Sequence, residues 1–195
     1  MKWSVTWSAD VALSDAGYAT YSNYNQYQVS GAEKLYTVSE AKTSSVVLAE
    51  KDASTVFYAG SAILIKGTTK VTINAVAEGT EDTALGTNYL VGSKNGTLDI
   101  TAGDGKYIFN WDGSDTSTVG FYKANSGTLG AHKAYLDISG VNAREYLSFD
   151  FDGSTGINNV EATNADNIIY SLQGVRMSRL QKGINILNGK KVLVK

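Results

Sequence analysis

The sequence contains no cysteine, no proline and a single histidine, His132. Without cysteine there is no disulfide, no thiolate nucleophile and no cysteine-ligated zinc. One histidine leaves too few imidazoles for most transition-metal sites, so neither a metal nor a cofactor is expected. Long apolar runs are missing as well. No span approaches the roughly 20 apolar residues of a membrane helix, and "MKWSVTWSADVALSDAGY" lacks the continuous apolar stretch of a signal peptide. If the protein is exported, this chain is expected to be a mature fragment or the tail of something longer.

Acidic residues are absent from the end of the chain. Residues 167–195 carry six Lys/Arg and no Asp/Glu, a net +6, whereas residues 1–166 carry eleven against nineteen, a net −8, within an overall charge of −2. An acidic body repels phosphates, and six dispersed cations on strands make a poor phosphate track, so no nucleic-acid partner is expected.

What is present is β-forming. Twenty glycines, twelve tyrosines and abundant Thr, Ser and Val favour strands joined by Gly/Asn/Asp turns. "KWSVTW" alternates, with Trp3, Val5 and Trp7 on one face. Similar runs follow at 17–21, 34–38, 45–49, 62–66, 70–76, 88–91, 106–111, 119–123, 133–138 and 146–151. Asn95-Gly96, Asp104-Gly105, Asp112-Gly113, Asp152-Gly153 and Asn188-Gly189 are turn signals. A helix over 39–53 is the one rival, and β-branched Val46 and Val47 favour a strand there. The expected fold is an all-β antiparallel sandwich over residues 1–152, a polar linker over 153–167, and a small β appendage over 168–195. "VFYAGSAILIKG" (56–67) and "TLGAHKAYLDIS" (128–139) echo each other, each leading through small residues into Ala and an apolar run.

No catalytic residue is assigned. His132 stands at a strand entry with no nucleophile-elbow sequence beside it, and reads as a surface histidine. Asp112/Asp115 and Asp150/Asp152 lie near Gly turns like fragments of calcium loops, but neither group has the later bidentate Glu. A hydrolase using two carboxylates ranks third among the functional readings. Aromatics are better candidates. In "YATYSNYNQYQ" (18–28) tyrosine recurs every three residues, and Tyr21, Tyr24 and Tyr27, together with Trp111, are the expected ligand-binding residues, as stacking platforms for a glycan.

The final residues, "IIYSLQGVRMSRLQKGINILNGKKVLVK", resemble the C-terminal segment that ends many exported proteins of Bacteroidetes bacteria, related to the type IX secretion sorting domain. The matching positions are Tyr170, Leu172, Gly174, Arg176, Lys182, Gly183, Asn188, Gly189, Lys190, Lys191 and Lys195. Upstream, "GYATYSNYNQYQVSGAEKLYTV", "AGSAILIKG", "GFYKANSGTLGAHKAYL" and "LSFDFDGSTGINNVEA" are similar to a β-rich module that commonly precedes that segment. Where the family often has proline before its "AILIKG"-like and "KAYL"-like strands, this chain has none. The resemblance implies a secreted or cell-surface location, export or anchoring machinery as partner, and an O-glycosylation acceptor at Asp82-Thr83-Ala84.

Two functions are therefore expected. The first is a non-catalytic structural or accessory module of an exported protein, its tail linked to export or surface attachment. The alternative is a carbohydrate-binding or adhesion module. In the tail, Lys190, Lys191 and Lys195 are expected at the solvent side or ends of a final hairpin, where basic side chains also discourage edge-to-edge aggregation. Ile184, Ile186, Val192 and Val194 are expected to supply that hairpin's apolar contacts.

Overall fold

The computed structural model describes residues 7–77, 79–103, 105–151, 169–171, 176–177, 182–187 and 190–194. The chain divides into two compact units, Met1–Ser154 and Thr155–Lys195. The linker expected over 153–167 lies outside the described residues.

Fourteen strands are described in the first unit: β1 Ser8–Ala12, β2 Tyr18–Ser22, β3 Tyr27–Ser30, β4 Lys34–Ala41, β5 Ser45–Lys51, β6 Ala62–Lys66, β7 Lys70–Ala75, β8 Leu90–Gly92, β9 Leu98–Ile100, β10 Lys106–Asn110, β11 Gly120–Lys123, β12 Gly127–Leu129, β13 Ala134–Asp137 and β14 Tyr146–Asp150. The fold is all-β, as composition implies. The stretch 39–53 forms the β4–β5 hairpin rather than a helix, with a register shift between Val38 and Glu40.

Nine strands form one sheet in the order β2-β6-β4-β5-β14-β11-β10-β13-β8. Its pairs are antiparallel except β5–β14, which runs parallel with Ser45 opposite Ser148. The sheet rolls up. Val38 and Leu64, Val46 and Leu48, Phe121, Leu147, Tyr107 and Leu136 meet in a single cluster although they come from strands along its whole width. At the seam the Ser22 N–H donates to the His132 carbonyl at 3.3 Å, and the Ala134 N–H donates to Thr20 Oγ1 at 3.1 Å.

A second layer lies outside the roll. The three-stranded sheet β1-β7-β3 contributes Val29, Val71 and Ile73 to a cluster with Tyr21, Leu35, Ile63 and Ile65 of β2, β4 and β6. This is the sandwich expected from the sequence, but one of its two layers is also the wall of a roll. β6 is consequently buried on both faces: Ala62 and Leu64 point into the roll, Ile63 and Ile65 toward the outer sheet, and all four are at most 1% exposed. A strand with two apolar faces reads as a continuous apolar run, as "AILIK" does. β13 repeats the device, sending Ala134 and Leu136 inward and Tyr135 outward to a small cluster with Ile100 of β9 and Ala124. The sequence echo between 56–67 and 128–139 thus falls on two strands with two-sided burial, a property that β4 shares through Leu35 and Val38.

In the second unit, β15 Ile169–Ser171, β16 Arg176–Met177, β17 Gly183–Leu187 and β18 Lys190–Val194 form a sheet in the order β16-β15-β17-β18. Leu187 pairs with Lys190, Ile184 with Leu193 and Asn185 with Val192. In this register Ile184, Ile186, Val192 and Val194, expected to supply the hairpin's apolar contacts, do not line one face together. A two-residue connection makes even-numbered residues oppose odd-numbered ones, so Ile184 and Val192 fall on opposite faces. Ile184 is 46% exposed, and Val192 and Val194 are half-buried. Lys195, Asn188 and Gly189 lie outside the described residues.

Two-sided burial of β6 yields a direct prediction. Ile63→Ala and Leu64→Ala, neighbours on opposite faces, should each destabilise the first unit by about 2–5 kcal/mol, measured by denaturant unfolding; a one-sided strand would show that loss at only one of them.

Candidate functional site

A cleft of about 510 Å³ lies where the rolled sheet closes, lined in part by Trp7, Asp10, Tyr21, Asn23, Asn25, Asn95, His132 and Lys133. Its volume falls within the range of small-ligand sites. A second groove of about 510 Å³, with Thr20, Phe109 and Leu129 on its walls, shares Ala12 and Lys133 with it.

Ser22 is the fixed point of this region. It is fully buried; its hydroxyl donates to the Lys133 carbonyl at 2.8 Å and accepts from the Lys94 N–H at 2.9 Å. Gly92 lies against it so closely that a Cβ there would come within 2.3 Å of Ser22 Cβ, which requires glycine. Lys94 (φ 56°) and His132 (φ 58°) are the non-glycine residues with left-handed backbone among the described residues. They are joined directly, the His132 N–H donating to the Lys94 carbonyl at 2.6 Å. Such conformations cost about 1–3 kcal/mol each and persist where surrounding contacts over-determine them. Here His132 lines the cleft, and Lys94 holds its backbone from behind.

The His132 ring lies flat on Tyr21, centroids 5.7 Å apart and planes 8° apart. Its Nδ1 is 3.2 Å from the Ser22 carbonyl, an acceptor, so in the neutral ring the proton sits on Nδ1. Nε2 then keeps its lone pair with no protein partner among the described residues. Asn23 donates from Nδ2 to Tyr21 Oη at 2.8 Å and accepts the Asn25 N–H at 3.0 Å. Asn95 Oδ1 accepts the Tyr24 N–H at 3.0 Å. The Trp7 carbonyl accepts the Ala75 N–H at 2.9 Å, which fixes the tryptophan's backbone to the end of β7. Asp10 accepts from Lys70 Nζ at 2.6 Å and Thr72 Oγ1 at 3.0 Å, and these hydrogen bonds hold its carboxyl below the usual range.

The sequence-predicted residues are scattered by this arrangement. Tyr27 is fully buried and Tyr21 is 3% exposed; they meet edge-on at 5.2 Å, and Tyr27 stacks on Phe57 at 5.1 Å. Neither is an open platform. The three-residue spacing misled because a bend at 23–26 separates β2 from β3 and turns both rings into one core. Tyr24, at the bend, is 65% exposed. Trp111 is half-buried just past the end of β10 and outside the cleft. Of the tail positions, Gly183, Lys190 and Lys191 lie on β17 and β18, Lys182 is exposed beside β17, and Gly174, Gly189 and Lys195 lie outside the described residues.

His132, read as a surface residue, is half-buried at the seam. Asn23, Asn25 and Asn95 carried no signal beyond ordinary turn composition, since their meeting depends on contacts more than 70 positions apart. Of the calcium-like aspartates, Asp152 lies outside the described residues, and Asp112, Asp115 and Asp150 have partners within the protein. Asp112 Oδ1 accepts the N–H groups of Ser114 and Asp115, Asp150 pairs with Lys42 at 2.9 Å, and no group of three or more potential metal ligands occurs among the described residues. No helix among them is long and apolar enough to cross a membrane. Comparison with protein-family models, curated proteins and solved structures gave no match.

Two tests follow. Lys94→Gly, which accepts φ 56° freely, should leave stability unchanged or raise it by up to ~1 kcal/mol, whereas Lys94→Val should lower it by about 1–2 kcal/mol in thermal unfolding. Burial pushes the phenols of Tyr21 and Tyr27 above their ordinary 10.0. They stay protonated when folded and ionise when unfolded, so their stabilisation is complete below about pH 10 and lost as pH rises beyond it. Denaturant midpoints measured from pH 8 to 11 should fall at the alkaline end, less steeply in Tyr27→Phe.

Proposed function

We propose that this chain is a non-catalytic accessory module of a secreted or cell-surface protein, in which the first unit is a rigid spacer or display body and the basic tail is linked to export or surface attachment. The observation that carries this reading is that, among the described residues, three apolar clusters are assembled from residues 7–151, within Met1–Ser154. A body with its own closed core can be added behind another domain without borrowing surface from it. The tail supports the export half of the proposal through its charge, six cations without an acid over residues 167–195, and through its sequence resemblance to sorting segments.

A chain ending at Ser154 should unfold cooperatively with a thermal midpoint within about 2–4 °C of the full chain. Aggregation of that truncated chain would show that the tail completes the body and would overturn the spacer reading. The triple variant Lys190→Gln, Lys191→Gln, Lys195→Gln should lose little stability, because exposed ion pairs contribute roughly 0–1 kcal/mol each, yet show reduced export or attachment when cells of a host that handles such tails are fractionated. Unchanged localisation would assign these lysines to protection of a sheet edge instead.

A further inference from the structure

We propose that the seam cleft is a saccharide-binding site, with a pyranose ring seated against Trp7 and its hydroxyls bonded by Asn25, Asn95 and His132. This goes beyond the accessory role above and stands or falls separately from it.

Four observations converge on that ligand chemistry. The first is shape: a cleft of about 510 Å³ holds one or two sugar rings. The second is the wall composition. A pyranose has an apolar C–H face and an equatorial belt of hydroxyls, and a site for it needs one flat aromatic surface with neutral donors and acceptors around it. Half-buried Trp7 lines the cleft; it packs on the outer apolar cluster and is fixed to β7 through its backbone, which makes it the tryptophan available for that role.

The third is unused hydrogen-bonding capacity. Asn25 uses its backbone N–H on Asn23 and keeps its side-chain amide free, Asn95 uses Oδ1 on Tyr24 and keeps Nδ2 free, and His132 keeps Nε2 free, all among the described residues. Together they present donors and acceptors in the mixture that hydroxyls, themselves both donor and acceptor, can satisfy. Asp10 is already engaged by Lys70 and Thr72, so the wall has no unpaired carboxylate to attract a cation.

The fourth is preorganisation. His132 is held at φ 58° with its ring flat on buried Tyr21, so a conformation unfavourable to histidine is maintained where the imidazole borders the cleft. The main-chain closure of the roll uses the backbone of residue 132, and the imidazole adds one bond of its own, from Nδ1 to the Ser22 carbonyl at 3.2 Å, which leaves Nε2 on the cleft side. Glycine or asparagine suits such a backbone better.

The test uses the full chain on a printed array of neutral hexose and uronic-acid oligosaccharides, followed by calorimetry with the strongest hit. The expected result is saturable binding weakened at least tenfold by Trp7→Ala, by His132→Gly and by Asn25→Ala, with cooperative thermal unfolding retained in each variant. Tyr24→Ala, exposed but outside the cleft, should bind like the parent chain. Lys133 at the rim separates two ligand sources: a preference for uronic acids that disappears in Lys133→Gln assigns an acidic saccharide, and binding indifferent to that change a neutral one. Absence of binding across the array, or binding that survives both Trp7→Ala and His132→Gly, would overturn the proposal while leaving the accessory role untouched.

Discussion

Two-sided burial of β6 is the constraint on which the rest of the first unit depends. A strand with Leu64 on one face and Ile63 and Ile65 on the other needs a cover on each side. The nine-stranded sheet provides one cover by rolling over on itself, and β1-β7-β3 provides the other. Each fully buried Leu or Ile contributes about 1.5–3 kcal/mol relative to exposure. Losing either cover would expose several such residues together, so roll and outer sheet are coupled through this one strand.

The strands that carry the inner cluster were legible because they are apolar on at least one face. "AILIK" coincides with β6, and "VGFYK", "KAYLDI" and "YLSFDF" contain β11, β13 and β14. β1, β9 and β12 escaped notice for the opposite reason: their burial patterns are largely exposed or half-exposed, and their pairing rather than their composition makes them strands. β3 was hidden inside a tyrosine spacing that suggested a surface. What periodicity cannot express is that the chain reverses at 23–26, so that Tyr21 and Tyr27 arrive at one core from different sheets.

The cleft was illegible for a topological reason. Its side chains come from the approach to β1, the end of β2, the loop after β8 and the loop before β13, and they meet only because the sheet closes there. Gly92, buried Ser22 and the left-handed pair Lys94 and His132 are the local marks of that closure. No short motif contains them. The turn signal at Asn95-Gly96 pointed to the right neighbourhood, although the left-handed backbone falls on Lys94.

The parallel pairing of β14 with β5 has a consequence for how the chain acquires its fold. Lys42 and Asp150, which form an ion pair across this junction, are 108 positions apart, and the seam bonds from Ser22 and Thr20 span 111 and 114. Loop closure over such distances makes folding slow for a given stability. During synthesis the first six strands emerge long before the partners that complete the roll, with β6 able to cover only one face. The nascent chain therefore passes through an interval in which half of an apolar wall is exposed, ended only when the segment around residue 150 leaves the ribosome.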